Sequence, residues 1–348
     1  MRTIDLRSDT VTLPTPEMRQ AMARAEVGDD VFREDPTVRR LEEMAAERMG
    51  KEAGLFVPSG TMGNLIAVLA HCGRGDEVIL GDRCHTFLSE AGGVAAVGGV
   101  HPRPIATARD GTLPLDEIEA ALRPDDPHYP ASRLICLENT HNRCGGVPVA
   151  AGYTARVGEW AHRRGLRLHI DGARIFNAAV ALGNRPEELA AGADSVTFCL
   201  SKALCAPVGS VLCGASDFVA RARRTRKQLG GGMRQAGVLA AAGIVALETM
   251  VDRLAEDHRR AGDLAGHLED LHGLALEWNP PPTNMVYLNL DPQLKLDGEA
   301  MVERLKRGGV LALAEGPRTV RLVTHYWIGD DDIVQAAQVI ARSMEEAA

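Results

Sequence analysis

The sequence predicts an α/β fold: a mainly parallel central sheet covered on both faces by helices, followed by a smaller α+β C-terminal domain. Two observations carry this. Short apolar runs alternate with helical patterns through the first 250 residues, the arrangement that builds parallel sheets. Around residue 250 the pattern changes to a long helical stretch and then a mixture of strands and helices. The expected organisation is an N-terminal segment 1–32, a large domain 33–250 and a small domain 251–348.

Taken in order, residues 1–32 show few periodic features and read as a segment that wraps around a neighbour. "AGLFVPSG" reads as a strand and turn, and "TMGNLIAVLAHC" as the helix after it. "DEVILGD", "SRLICLEN", "LRLHIDGA", "SVTFCLS" and "GSVLCG" read as strands. "LPLDEIEAALRP" and "YTARVGEWAHRRG" read as helices between them. One long helical stretch is expected from about Arg234 to Leu271. "NPPPTN" is a stiff proline-rich connector. It is followed by a strand in "TNMVYLNLD", a helix in "DGEAMVERLKRGG", strands in "VLALAEG" and "TVRLVTH", and a last helix from Asp331.

Composition narrows the function. Of 348 residues, 45% are hydrophobic and 25% charged, an ordinary soluble balance. The net charge of -8 argues against nucleic acid as a partner. The basic run "RARRTRK" (Arg221–Lys227) reads for most of its charges as a solvated helix face. No apolar run reaches the roughly 18 residues of a membrane span, and "MRTIDLRSDT" has no signal-like segment. Seven cysteines, an odd number with no CxxC pair, read as buried thiols of a cytoplasmic protein.

In open α/β sheets, ligands bind at the carboxyl ends of strands, so polar residues directly after apolar runs carry the argument. In "VPSGTMGN", Ser59, Gly60 and Thr61 open a helix, and its N-terminus suits a phosphate. An ordinary N-cap explains the same residues. In "LRLHIDGAR", Asp171 ends a strand, and a buried carboxylate needs a cation. A protonated pyridine nitrogen or Arg174 would serve. In "FCLSKALCAPVG", Lys202 follows a strand; burial would expose the neutral amine a Schiff base needs, whereas snorkelling is the plain alternative. His85 follows the strand "DEVILGD", and His128 and His141 lie in loops. "HLEDLH" has metal-like residue types on a wet helix face, and no HExxH occurs, so no metal is expected. The combination is more specific than its parts. A phosphate-type turn, a strand-end Asp171 and Lys202 31 positions later are, in that order, the parts of a pyridoxal 5'-phosphate (PLP) site.

The motifs "LRSDTVTLPTPEMRQAM", "VGDDVF", "DPTVRRLEE", "HTFLSEAGG", "LENTHN", "HIDGARIFNA", "LSKALCAPVGS" and "GGGMRQAG" carry a resemblance. In that order the chain resembles the low-specificity L-threonine aldolases, PLP-dependent enzymes of fold type I, from about Ile4 to beyond His325. The resemblance implies roles. Lys202 would bind PLP, Asp171 its pyridine nitrogen, Arg174 its phenolic oxygen, and Ser59, Gly60 and Thr61 its phosphate. His85 would stack on the ring. Ser8 and Arg318 would hold the substrate carboxylate, with Arg174 and His85 also lining the substrate, and His128 would face its β-hydroxyl. Lys227 and Arg234 would reach the partner subunit's site in a homo-oligomer, a dimer of dimers. The implied reaction is cleavage of Cα–Cβ in a β-hydroxy-α-amino acid to glycine and an aldehyde. His128 is the preferred base, since a base at neutral pH works best with a pKa near 7. β-Elimination on the same scaffold is the rival, told apart by its products. Three residues depart from the family pattern: Ala203 and Cys205 stand where glycines are usual, and Phe32 where a tyrosine is common.

Overall fold

The computed structural model describes residues 2–346; residues 1, 347 and 348, the outermost positions of the expected segments, lie outside it. The chain forms two compact units. One runs from Pro14 to Val251; the other joins the chain's start, up to Leu13, to everything from Asp252 onward. Among the described residues no helix is long and apolar enough to cross a membrane.

The larger unit is built on a seven-stranded sheet. Its strands are β1 (Ala53–Val57), β2 (Glu77–Gly81), β3 (His101–Ile105), β4 (Ser132–Glu138), β5 (Arg167–Asp171), β6 (Ser195–Cys199) and β7 (Ser210–Gly214). The spatial order is β1-β7-β6-β5-β4-β2-β3. β7 runs antiparallel to both its neighbours, and every other pairing is parallel. The expected mainly parallel sheet is therefore present. β2, β6 and β7 are buried at every position, because helices cover both faces.

β3 was not expected from the sequence, because "HPRPI" holds two prolines. Its position explains how they are tolerated. The N–H of His101 donates to Asp76 on the β2 side, so Pro102 and Pro104 direct their missing donors to the open edge. The carboxyl ends of the central strands are level: Glu138 pairs with Asp171, and Asp171 with Thr197. Polar residues just beyond these ends thus share one edge of the sheet. The basic run also departs from its reading at one position. Arg226 is only 2% exposed, with Nη2 2.6 Å from Asp30 and Nη1 donating to the Phe56 carbonyl.

The second unit carries a four-stranded antiparallel sheet of β8 (Leu274–Leu276), β9 (Met285–Leu290), β10 (Leu313–Gly316) and β11 (Thr319–Val323), in the order β10-β11-β9-β8. Leu264, Leu288, Met301, Leu322 and Ile340 from its helices and sheet form the core. Ile4 and Leu6 join that core, and Ile4–Asp5 pairs in parallel with Val310–Leu311. "VLALAEG" is thereby divided, its first two residues pairing with the chain's start and its last four entering the sheet. The single helix expected over 234–271 is two, Gly237–Thr249 and Leu254–Leu268. The interruption falls where the chain passes from one unit to the other.

Candidate active site

The site in the larger unit is assembled from loops at the carboxyl edge of the sheet. β1 leads into the twelve-residue helix Gly60–His71 through Ser59, whose backbone is extended and whose hydroxyl accepts from the Met62 N–H at 3.2 Å. The capping reading of Ser59 is therefore correct. The helix N-terminus still presents exposed Ser59 and Thr61 and the first-turn N–H groups. Glycine is needed at position 60, since a Cβ there would come within 2.9 Å of Cys199 Sγ.

Asp171 ends β5 with 3% exposure. Its Oδ1 accepts from the Ala173 N–H at 3.1 Å and its Oδ2 from Asn64 Nδ2 at 2.9 Å. The same Asn64 nitrogen donates to Glu90 Oε1 at 2.8 Å, and that oxygen meets His85 Nδ1 at 2.9 Å. His85, Glu90 and Asp171 offer atoms that lie within 4.8 Å of one another. Glu138, at the end of β4, ties the loops together: its carboxylate accepts from the N–H groups of His85 (2.6 Å) and Asn142 (2.8 Å).

The electrostatics follow from this packing. The hydrogen bond to Glu90 raises the His85 pKa above the ordinary value, against burial, and Lys202 is near enough to oppose the rise. Burial pushes the Glu90 carboxyl up, while its hydrogen bond to His85 pulls the other way. Glu90 Oε2 is buried and has no hydrogen-bond partner among the described residues. Lys202 lies in the tight loop after β6, where its carbonyl accepts from the Cys205 N–H at 2.9 Å. His85, Asp171 and Lys202 thus share one site, and Asn64, Glu90 and Glu138 are additions that sequence reasoning missed. The one available signal was Glu90 in "HTFLSEAGG", five positions after His85.

Residues 5–291 match the family model described as beta-eliminating lyase. Low-specificity L-threonine aldolase 1 of Arabidopsis thaliana is 51% identical over 96% of this chain and 94% of its own. The chain belongs to the beta-eliminating lyase family. Within it, the low specificity L-threonine aldolase of Escherichia coli (strain K12) is 46% identical over 96% of this chain and 97% of its own. A solved threonine aldolase from Leishmania major, 22% identical, superposes with a TM-score of 0.82 over 98% of this chain and 99% of its own, a shared fold.

Other residues of this lyase stand apart from that cluster. His128 lies on the loop before β4 with its side chain 84% exposed, and its Nδ1 is 2.7 Å from Asp126. Arg174 is buried at the start of the helix Ile175–Leu182. Lys227 lies in the last turn of the helix Ser216–Gln228. Arg234 is 53% exposed, 2.9 Å from Asp29. In the other unit, Ser8 is buried and caps the turn Asp9–Val11. Arg318 has both terminal nitrogens spent on the backbone carbonyls of Asp291, Pro292, Leu294 and Leu296 at 2.9–3.2 Å. Arg321, in β11, is buried, pairs with Glu315 at 2.7 Å and donates to the carbonyl of Arg7, beside Ser8.

Proposed function

We propose that this carbon–carbon lyase is a PLP-dependent aldolase that cleaves L-threonine, L-allo-threonine and related β-hydroxy-α-amino acids to glycine and an aldehyde. The observation that carries the reading is a buried Asp171 at the end of β5, with Lys202 just beyond the end of the adjacent β6.

The residues present fit PLP. Two buried carboxyl groups, Asp171 and Glu90, lie close together, and a protonated ring nitrogen is the cation such a site favours. The helix that opens at Gly60 offers its first-turn N–H groups to a phosphate. Lys202 would hold the cofactor covalently and Asp171 its ring nitrogen. Arg174 would face its phenolic oxygen, Ser59, Gly60 and Thr61 its phosphate, and His85 the ring face. Bound there, PLP supplies an electron sink for the charge left at Cα when Cα–Cβ breaks.

The chain's own residues do the rest. A guanidinium grips a carboxylate through two parallel N–H bonds, so an arginine suits the substrate carboxylate. Arg318 is bound to the carbonyls of its own 291–296 loop, whereas Arg321 donates to the Arg7 carbonyl beside Ser8, and we therefore reassign this role to Arg321 with Ser8. The β-hydroxyl proton needs a base. Glu90 engages His85 at Nδ1, which leaves Nε2 as the basic nitrogen of a neutral ring. This geometry favours His85 over His128, whose role becomes contact with the substrate hydroxyl. Lys227 and Arg234, on or near an exposed helix end, fit a contribution to the partner subunit in a dimer of dimers. Seven free, buried cysteines fit a reducing cytoplasm.

The test is the product. Incubation with L-threonine, L-allo-threonine and L-phenylserine should release glycine and the matching aldehyde. Ammonia and a keto acid would instead establish β-elimination. Borohydride trapping should place the cofactor on Lys202, and Lys202→Ala should lose activity by about a thousandfold or more. Label on any other lysine refutes the site.

A further inference from the structure

A buried chain of polar side chains runs behind the two carboxyl groups of the site. Asn64, on the helix Gly60–His71, is 1% exposed and has all its hydrogen-bonding groups engaged. Its Nδ2 contacts Asp171 Oδ2 at 2.9 Å and Glu90 Oε1 at 2.8 Å, and its Oδ1 lies 3.2 Å from His169 Nε2. His169, fully buried in β5, places Nδ1 2.8 Å from Ser195 Oγ. Ser195 Oγ in turn lies 2.8 Å from His71 Nε2, at the far end of the Asn64 helix.

Elementary hydrogen-bond chemistry fixes the direction of every link. An ionised carboxylate only accepts, so the amide nitrogen of Asn64 must face Asp171 and Glu90. The amide oxygen only accepts, so His169 must carry its hydrogen on Nε2. Burial pushes His169 down to about 4, so the ring is neutral and its Nδ1 accepts from the Ser195 hydroxyl. That hydroxyl has one hydrogen, and its oxygen must then accept from His71 Nε2–H. His71 is also neutral, pushed down to about 3 by burial. All four donors therefore point from His71 toward the two carboxylates.

We propose that Asn64 is a positioning residue for the reaction. The His71–Ser195–His169 relay holds it in one orientation, and it binds Asp171 and Glu90, and through Glu90 His85, into one unit. This rests on the PLP reading above. Two carboxylates this close repel, and the Asn64 donors offset the repulsion. Without those donors Glu90, which burial already pushes up, takes up a proton, and the two carboxyl groups are no longer held as one unit beside the ring nitrogen. The ionisable groups around the pair are His85, His169, Cys84 and Cys136, with Lys202 acting on His85 and Glu138 on Cys84. Of these, His85 and Lys202 supply positive charge, and neither bridges the two carboxylates as Asn64 does.

The test uses the PLP-loaded enzyme. Its visible absorption band is titrated against pH for wild type, Asn64→Leu, His169→Leu and His169→Gln, with kcat and KM alongside. Asn64→Leu and His169→Leu should each move the band's midpoint, by about one pH unit for Asn64→Leu. Asn64→Leu should lower kcat by about tenfold or more and leave KM within about threefold. His169→Gln retains an N–H for Asn64 and should restore most of the wild-type midpoint. Nitrogen-15 spectra of wild-type histidines should show His169 neutral and protonated on Nε2. A wild-type midpoint and kcat in folded Asn64→Leu overturns the proposal. So does a His169 proton on Nδ1, an observation that needs no variant to fold. Equal effects of His169→Gln and His169→Leu overturn the relay. A wild-type protein that forms no lysine-bound band removes the PLP reading itself and this proposal with it.

Discussion

Arg33 sits at φ 63°, in the left-handed region that favours glycine. It closes the turn Asp30–Phe32, and its side chain is exposed. A Cβ in this region costs roughly 1 kcal/mol, and only the greater freedom of a glycine in the unfolded chain works against removing it. Arg33→Gly should therefore stabilise the protein by about 0.5 kcal/mol, read as a higher urea midpoint at unchanged slope. An unchanged or lower midpoint would refute the strain argument. Cys205 shares the conformation, at φ 64°, but not the outcome. It is fully buried, its thiol 3.6 Å from the Ala203 carbonyl. Replacing it with glycine would trade strain for a lost buried group of similar worth, so no gain is expected there. The comparison also answers what the departure at position 205 does. Where the resemblance implies a glycine, this chain carries a cysteine and keeps a positive-φ backbone. The turn after Lys202 thus retains a glycine's path while gaining a packed thiol.

The hairpin of β10 and β11 separates two arginines three positions apart. Arg318 precedes β11 and stitches the 291–296 loop to it through carbonyls, whereas Arg321 lies within the strand beside the backbone of Arg7. Arg318→Ala should lower stability by about 1–3 kcal/mol and leave the KM for L-threonine nearly unchanged. Arg321→Ala should raise that KM by about tenfold or more, with Arg321→Lys only partly restoring it. The reverse pattern in steady-state kinetics would return the carboxylate to Arg318. Sequence alone could not separate them, because the loop carbonyls that engage Arg318 belong to "DPQLKL", where nothing marks them as acceptors. What was legible follows the same logic. Asp171, Lys202 and Ser59 each stand at or just beyond the end of an apolar run, and a run's end is visible in one dimension. Asn64, Glu90 and His169 acquire their roles from a helix, a loop and a strand that meet only in the fold. His169 even lies inside a strand, where a histidine reads as filler. β3 was missed because prolines argue against a strand unless its edge position is known.

At the scale of the whole molecule, the buried His169 and the half-buried His71 and His258 set how stability responds to acid. Burial is the main cause that pushes His71 down to about 3, and His169 and His258 to about 4. In the unfolded chain each would titrate near the ordinary 6.5. Below that value the unfolded state binds protons that the native state refuses, so stability falls as pH falls. The contribution is fully present above pH 6.5 and is lost progressively toward pH 4 for His169 and His258 and toward pH 3 for His71. Each histidine adds a slope of up to about 1.4 kcal/mol per pH unit within that window. His85 acts with the opposite sign, because Glu90 raises it. Its stabilisation is complete below pH 6.5 and disappears as pH rises through its native value, so it does not soften the acid limb. His71 and His169 belong to the larger unit and His258 to the other. Urea unfolding at pH 7.5, 6 and 5 should therefore show a steep loss. A transition belonging to the larger unit should carry about two of the three protons. His258→Gln should flatten the remainder by about one proton and leave the larger unit's slope alone. A stability that is level between pH 7.5 and 5 would mean these rings are charged in the native state. The polarity deduced for the relay to Asn64 would then be wrong as well, since it requires His71 and His169 to be neutral.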